Sequence, residues 1–97
     1  MKIDFTMTDN NLQVALDGRL DTVTAPELES FLGEHYGKIS ALTIDCEKLV
    51  YVSSAGLRVL LAAQKRMMGA MTLLNVGELV MEVFEMTGFA DILHIEA

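Results

Sequence analysis

The sequence contains a single cysteine, Cys46, which excludes an internal disulfide and any cysteine-rich metal site. One free thiol suits a reducing cytosol, and Cys46 reads as a structural thiol and not as a nucleophile. Basic residues are few: 7 Lys and Arg stand against 14 Asp and Glu, a formal net charge of −7. Nucleic-acid backbones are gripped by clustered Lys and Arg that release counterions, so nucleic acid is excluded as a general partner. The same charge opposes docking on anionic membranes. No apolar run approaches the roughly 20 residues that span a bilayer, so no direct membrane insertion is expected. The N-terminus, MKIDFTMTD, places Asp4 after its first apolar residue and then alternates, which is a strand pattern and not a signal peptide. A cytoplasmic location follows as the expectation. HExxH, other metal-ligand spacings and a glycine-rich phosphate loop are all missing, so neither a metal nor a cofactor is expected.

What remains is a chain of 97 residues, 52% apolar, which is the length of one domain (residues 1–97) with one real core. Repeats, low-complexity stretches and linkers are absent from it. A two-domain cofactor enzyme does not fit in this length. Ile3, Phe5 and Met7 alternate with polar residues, as do Leu12, Val14 and Leu16; Asp9, Asn10 and Asn11 between them predict a hairpin. After the Gly18–Asp21 segment, Thr24 and Glu27 have capping-box spacing and Pro26 suits a first helical turn. Leu28, Phe31, Leu32 and Tyr36 continue an apolar helical stripe that Gly37 can end. Residues 41–45 read as a strand and 54–68 as a helix, with Leu57, Leu60, Leu61 and Met67 or Met68 turned inward. Residues 71–75 read as a buried strand, 78–86 as a helix stopped by Gly88, and 92–95 as a final short strand. The expected order is β-β-α-β-α-β-α-β: an α/β domain with a mixed, mainly parallel sheet and helices packed on one face.

The informative run is Tyr51-Val52-Ser53-Ser54-Ala55-Gly56-Leu57-Arg58-Val59-Leu60-Leu61, leading from the loop after the third strand into the second helix. Ser53 and Ser54 lie beside the unpaired N–H groups and positive dipole end of that helix, where an anion is favoured. A phosphate there would add roughly −1.5 to −2 charges. Serine is also a preferred N-cap, so capping alone is the plainer reading of either residue. A nucleophile elbow would need glycine two residues before the serine, where Val52 stands, and a positioned histidine base. His35 and His94 belong to other elements and read as surface or partly packed residues, so the chain is not expected to be an enzyme. The methionines Met67, Met68, Met71, Met81 and Met86 read mainly as core filling. Arg58, Lys65 and Arg66 form a basic patch, while the chain from Met67 onward carries no Lys or Arg.

The run YVSSAGLRVLL resembles the signature of the STAS family of bacterial anti-sigma factor antagonists, in which a phosphorylatable serine opens a helix in an Asp-Ser-Ser-Gly-Leu or similar run. The upstream LDGRLDTVTAPELESFL, residues 16–32, is similar to the family's Gly-Arg-Leu-Asp segment before its first helix. The resemblance covers nearly the whole chain and implies a STAS-like domain. It assigns Ser54 to the phosphoacceptor, Gly56 to the signature glycine and Leu57 to the leucine after it. Ser53 stands where many members have Asp, which removes an acidic neighbour and makes Ser53 the second choice for modification. Ala55 replaces the second serine. A partner-binding face is implied over a Gly18–Thr22 loop and the first turn of the Ser54 helix: Gly18, Arg19, Asp21, Thr22, Ser53, Ser54, Ala55, Gly56 and Arg58.

The resemblance further implies a partner-switching cycle. The unmodified protein binds an anti-sigma factor that is also a serine kinase with a histidine-kinase-like ATP site. Phosphorylation releases it, and a PP2C-like serine phosphatase resets it. The alternative within the family is an unphosphorylated STAS subunit of a lipid-transport or stress-signalling assembly. Members typically continue into a further C-terminal helix, for which no sequence follows the expected last strand here.

Overall fold

Strand periodicity, helix caps and two irregularities in one strand determine the architecture. The computed structural model describes residues 1–96. Strands β1 (Lys2–Thr8) and β2 (Asn11–Leu20) form the expected hairpin, with Asp9 at φ 55° in its two-residue turn. Asp tolerates this left-handed conformation better than most side chains. Helix α1 (Ala25–His35) runs into a short 3₁₀ turn (Tyr36–Lys38), so the backbone winds through Gly37 and leaves the helix only at the extended Ile39. Strand β3 (Ala41–Val52), helix α2 (Ser54–Arg66), strand β4 (Met71–Leu74) and helix α3 (Glu78–Thr87) follow. Gly88 stops α3 at φ 81°, the left-handed position that glycine adopts without strain.

The sheet order is β1-β2-β3-β4, antiparallel for the first pair and parallel for the next two. Parallel pairing requires crossovers, and α1 and α2 supply them. The predicted last strand does not form. Residues 89–91 make a 3₁₀ turn, and only Ile95 forms a bridge, parallel to Leu73 of β4. Leu73 N–H donates to the His94 carbonyl at 2.9 Å and Glu96 N–H to the Leu73 carbonyl at 3.0 Å, which pairs part of the β4 edge.

Alternation along β2 buries Leu12, Val14, Leu16 and Leu20 on one side, where they meet Leu42 and Ile44 of β3, Met71 and Leu73 of β4, and the inner faces of the helices. Those inner faces contribute Leu28 and Leu32 from α1, Leu57, Leu60 and Ala63 from α2, and Val80 and Phe84 from α3. Each such apolar side chain, once buried, contributes roughly 1.5–3 kcal/mol. Among the described residues no helix lies over the other sheet face. Asp4, Ala15 and Asp45 are paired across three strands there. Together with Leu16, Asp17, Glu47 and Lys48 they line a shallow, mainly acidic concavity of about 370 Å³. The methionines divide: Met67 and Met71 are core, but Met68 (93% exposed) and Met86 (80%) are not. Leu61 is half-buried.

The largest departure from expectation is β3, which extends seven residues beyond Asp45. Its buried residues Cys46, Leu49 and Val52 are spaced by three, not two. The register against β2 explains this: Ala15 faces Asp45 but Asp17 faces Lys48, and Gly18 faces Leu49 but Arg19 faces Tyr51. Each shift inserts one extra residue into β3, a β-bulge that resets the inward face. The segment read as a loop before Ser53 is therefore strand, and so are Gly18 and Arg19 at the end of β2.

Candidate functional site at the paired ends of β2 and β3

The site forms where β2 and β3 end side by side. Leu20 faces Val52 in the ladder, and Ser53 N–H donates to the Leu20 carbonyl at 2.9 Å. Strand β3 enters α2 without an intervening loop. Ser53 has extended backbone (φ −92°, ψ 175°), and its hydroxyl accepts from Gly56 N–H at 3.4 Å. That is N-cap geometry, with a hydrogen bond at the long end of the useful range. Ser54 is then the first helical residue; it is exposed, and its hydroxyl makes no hydrogen bond among the described residues. The two adjacent serines thus differ: one closes the helix end, and the other presents an unused hydroxyl to solvent beside the same N–H groups.

Gly56 is required for packing. A Cβ at this position would lie 2.7 Å from Leu20 Cγ and 2.8 Å from the Leu20 carbonyl oxygen. The first turn of α2 therefore lies directly on the end of β2, which draws the Gly18–Thr22 and Ser53–Arg58 segments into one surface. Gly18, at φ 113°, sits in β2 opposite the second bulge and not in a turn.

The expected capping box at Thr24 and Glu27 does not form, because the Thr24 side chain makes no cap bond at α1. The reciprocal pair lies one turn earlier. Asp21 Oδ1 accepts from Thr24 N–H at 3.1 Å and Val23 N–H at 3.0 Å, and Thr24 Oγ1 accepts from Asp21 N–H at 2.8 Å. This is the capping-box exchange with Asp21 in the cap role. The Thr24 hydroxyl donates in turn to the Arg19 carbonyl at 2.7 Å, which ties the turn to the end of β2. The Thr24 backbone N–H is the largest influence on the Asp21 carboxyl; burial, the next largest, opposes it, but the Val23 N–H, the Thr24 hydroxyl and the Arg19 charge add to the first and hold the group below its ordinary pKa.

Arg19 reaches across the strand ends. Its guanidinium lies 4.3 Å from the centre of the Tyr51 ring, and its Nε lies 3.6 Å from Asp21 Oδ2. Tyr51 was legible only as part of the signature run; its pairing with Arg19 depends on the second bulge. Thr22 and Arg58 are exposed, and Ala55 is half-buried. The Arg66 guanidinium covers the Tyr36 ring at 5.0 Å.

Cys46 and His35 are both engaged within the fold. Cys46 is buried, and desolvation, followed by the Asp45 charge, pushes its thiol up to about 12. His35 Nδ1 is 2.8 Å from the Phe31 carbonyl, and its ring packs against Phe31 and Phe5 on α1 and β1. Among the described residues no group of three or more His, Cys, Asp or Glu is arranged to hold a metal. Among the described residues no helix is long and apolar enough to cross a membrane.

A family model for the STAS domain matches residues 2–97. The chain belongs to the STAS domain family. BtrV of Bordetella bronchiseptica is 34% identical to it over 96 residues, spanning 95% of this chain and 83% of that protein. The anti-sigma-B factor antagonist of Bacillus subtilis is 29% identical over 100 residues, spanning 100% of this chain and 92% of that protein. In fold, the chain matches the crystal structure of an anti-sigma factor antagonist from Mycobacterium paratuberculosis with a TM-score of 0.86 at 24% identity, over 97% of this chain and 83% of that one. The STAS chain described here is thus a homologue of anti-sigma factor antagonists, a family of non-enzymatic regulators.

Proposed function

We propose that this protein is a cytoplasmic anti-sigma factor antagonist that switches partners through phosphorylation of Ser54. The observation that carries this reading is the division of labour at the start of α2: Ser53 caps the helix, and the exposed Ser54 hydroxyl has no structural duty. A kinase can modify Ser54 without removing a cap. The phosphate would face the N–H groups of the first turn, where the helix dipole tolerates negative charge. It would add roughly −1.5 to −2 charges to a surface that includes Asp21 and the −7 background, repelling a partner fitted to the neutral hydroxyl.

In this reading the unmodified face, built from Arg19, Asp21, Thr22, Tyr51, Ser54, Ala55 and Arg58, binds an anti-sigma factor. That partner carries the serine kinase with its histidine-kinase-like ATP site, and a PP2C-like phosphatase removes the phosphate. ATP and metal belong to those proteins.

The test is retention of partners from native cytosol with and without ATP, followed by phosphosite mapping. Wild-type protein should release a histidine-kinase-like ATPase when ATP is added, and Ser54→Ala should keep it. Ser54→Asp should bind that partner more weakly by calorimetry. Full phosphorylation at Ser53 in the Ser54→Ala protein would overturn the site. Transporter subunits in the eluate, with no phosphorylation, would favour an assembly subunit instead.

A further inference from the structure

We propose that the apolar groove between the end of β3 and α3 docks an amphipathic helix whose apolar face is flanked by Lys and Arg, on a protein partner. The groove has a volume of about 280 Å³ and is lined by Val50, Tyr51, Leu79, Glu82, Val83 and Met86. Val50 is the residue that the second β3 bulge leaves out of the ladder, and it is 59% exposed. Leu79, Val83 and Met86 lie at i, i+4 and i+7, one stripe along α3, with Leu79 71% and Met86 80% exposed. The inner stripe of the same helix, Val80 and Phe84, already serves the core. An i, i+4, i+7 stripe spans about two turns, the length that helix-in-groove recognition uses for its anchors.

Charge selects the occupant. Helix α3 carries Glu78, Glu82 and Glu85 along one flank of the groove, and the chain from Met67 onward has no Lys or Arg to neutralise them; Arg19, which stacks on Tyr51 at the opposite wall, is paired with Asp21. A second copy would bring its own net −7 against these acids, and an anionic bilayer would be repelled as well. A basic amphipathic helix satisfies both the apolar stripe and its acidic rim. The exposed thioether of Met86 adapts to varied apolar partners. This surface does not depend on the Ser54 reading, although Tyr51 lies on both.

The probe is a labelled helical peptide composed of Leu and Lys, compared with a Leu/Glu peptide of equal length and helicity. Fluorescence anisotropy should detect binding of the Leu/Lys peptide alone. Backbone amide shifts should change at Val50, Tyr51, Leu79, Val83 and Met86. Leu79→Ser with Met86→Ser, both at exposed positions, should weaken binding by at least about tenfold. Asp17→Asn with Glu47→Gln, which removes two charges from the open sheet face, should leave it within about twofold. Shifts centred on Asp4, Asp17, Asp45 and Glu47, or full affinity in the Leu79/Met86 variant, would reduce the effect to general charge attraction and overturn the proposal. A dimer seen by sedimentation and dissolved by Leu79→Ser would assign the groove to a second copy and overturn it too.

Discussion

The starts of α1 and α2 lie side by side at the ends of β2 and β3, yet they handle the same problem differently. Both must satisfy unpaired N–H groups. In the turn before α1 the Asp21 and Thr24 side chains are both used: the Asp21 carboxylate and the Thr24 hydroxyl cap each other's backbone, and Thr24 also holds the Arg19 carbonyl. At α2 one serine is enough for the cap, and the next serine is left over. A candidate switch is found where the chain presents a polar group that its fold does not need. The closed turn at α1 supplies a rigid flank for it.

Four substitutions would break this contrast or sharpen it. Gly56→Ala should have the largest effect. Ala is normally better in a helix than Gly by about 1 kcal/mol. Here its Cβ would meet the Leu20 carbonyl at 2.8 Å, and backbone gives way poorly. A net loss of about 1–3 kcal/mol in urea denaturation is expected; a gain would show that α2 does not lie hard against β2.

Thr24→Val should come next, at about 1 kcal/mol, through loss of the hydroxyl that joins Asp21 to Arg19. It should also make stability less sensitive to acid. The folded-state pKa of Asp21 is depressed, chiefly by the Thr24 backbone N–H, then by Val23, the Thr24 hydroxyl and Arg19. Its contribution is therefore complete above the unfolded carboxylate range and is lost as the pH falls through the depressed value. Denaturation curves taken from neutral pH down to about pH 2.5 should show a smaller fall in Thr24→Val than in wild type.

The smallest effects separate the serines. Ser53→Ala should cost about 0.5–1 kcal/mol, at the low end of N-cap values because its bond is long. Ser54→Ala should stay within about 0.5 kcal/mol of wild type by thermal denaturation. Equal costs at the two positions would remove the division of labour on which the Ser54 proposal rests.

Much of the fold was legible because β2, α1, α2 and α3 keep their natural periods. Leu12, Val14 and Leu16 alternate, and Leu28 and Leu32 stand one turn apart. Gly88 ends α3 by the left-handed conformation that the sequence suggested. β3 was misread because bulges leave no local signature: Cys46, Leu49 and Val52 at spacing three look like neither a strand nor a long helix. The missing eighth element has a related cause. Residues 92–95 are apolar enough for a strand, but after the 3₁₀ turn only Ile95 meets the β4 edge.

At the candidate site, the residues of the signature run were found from the chain alone, and the family model and the curated relatives place the chain in the family that run suggested. The capping box was read one turn late, since Thr24 can cap forward to Glu27 or pair backward with Asp21. The backward choice wins because it also satisfies the Arg19 carbonyl.

Composition and spacing by themselves determined the fold class and marked the start of the second helix as the segment where function is to be sought, because these follow from hydrophobic period and local turn chemistry; the family came from the resemblance of residues 16–32 and 51–61 to a known signature. Only the tertiary structure decided which serine is used and which is spare, why residue 56 must be glycine, and that Arg19 covers Tyr51. Those outcomes depend on contacts between strand ends more than 30 residues apart, in a register set by two bulges, and no local pattern encodes that register.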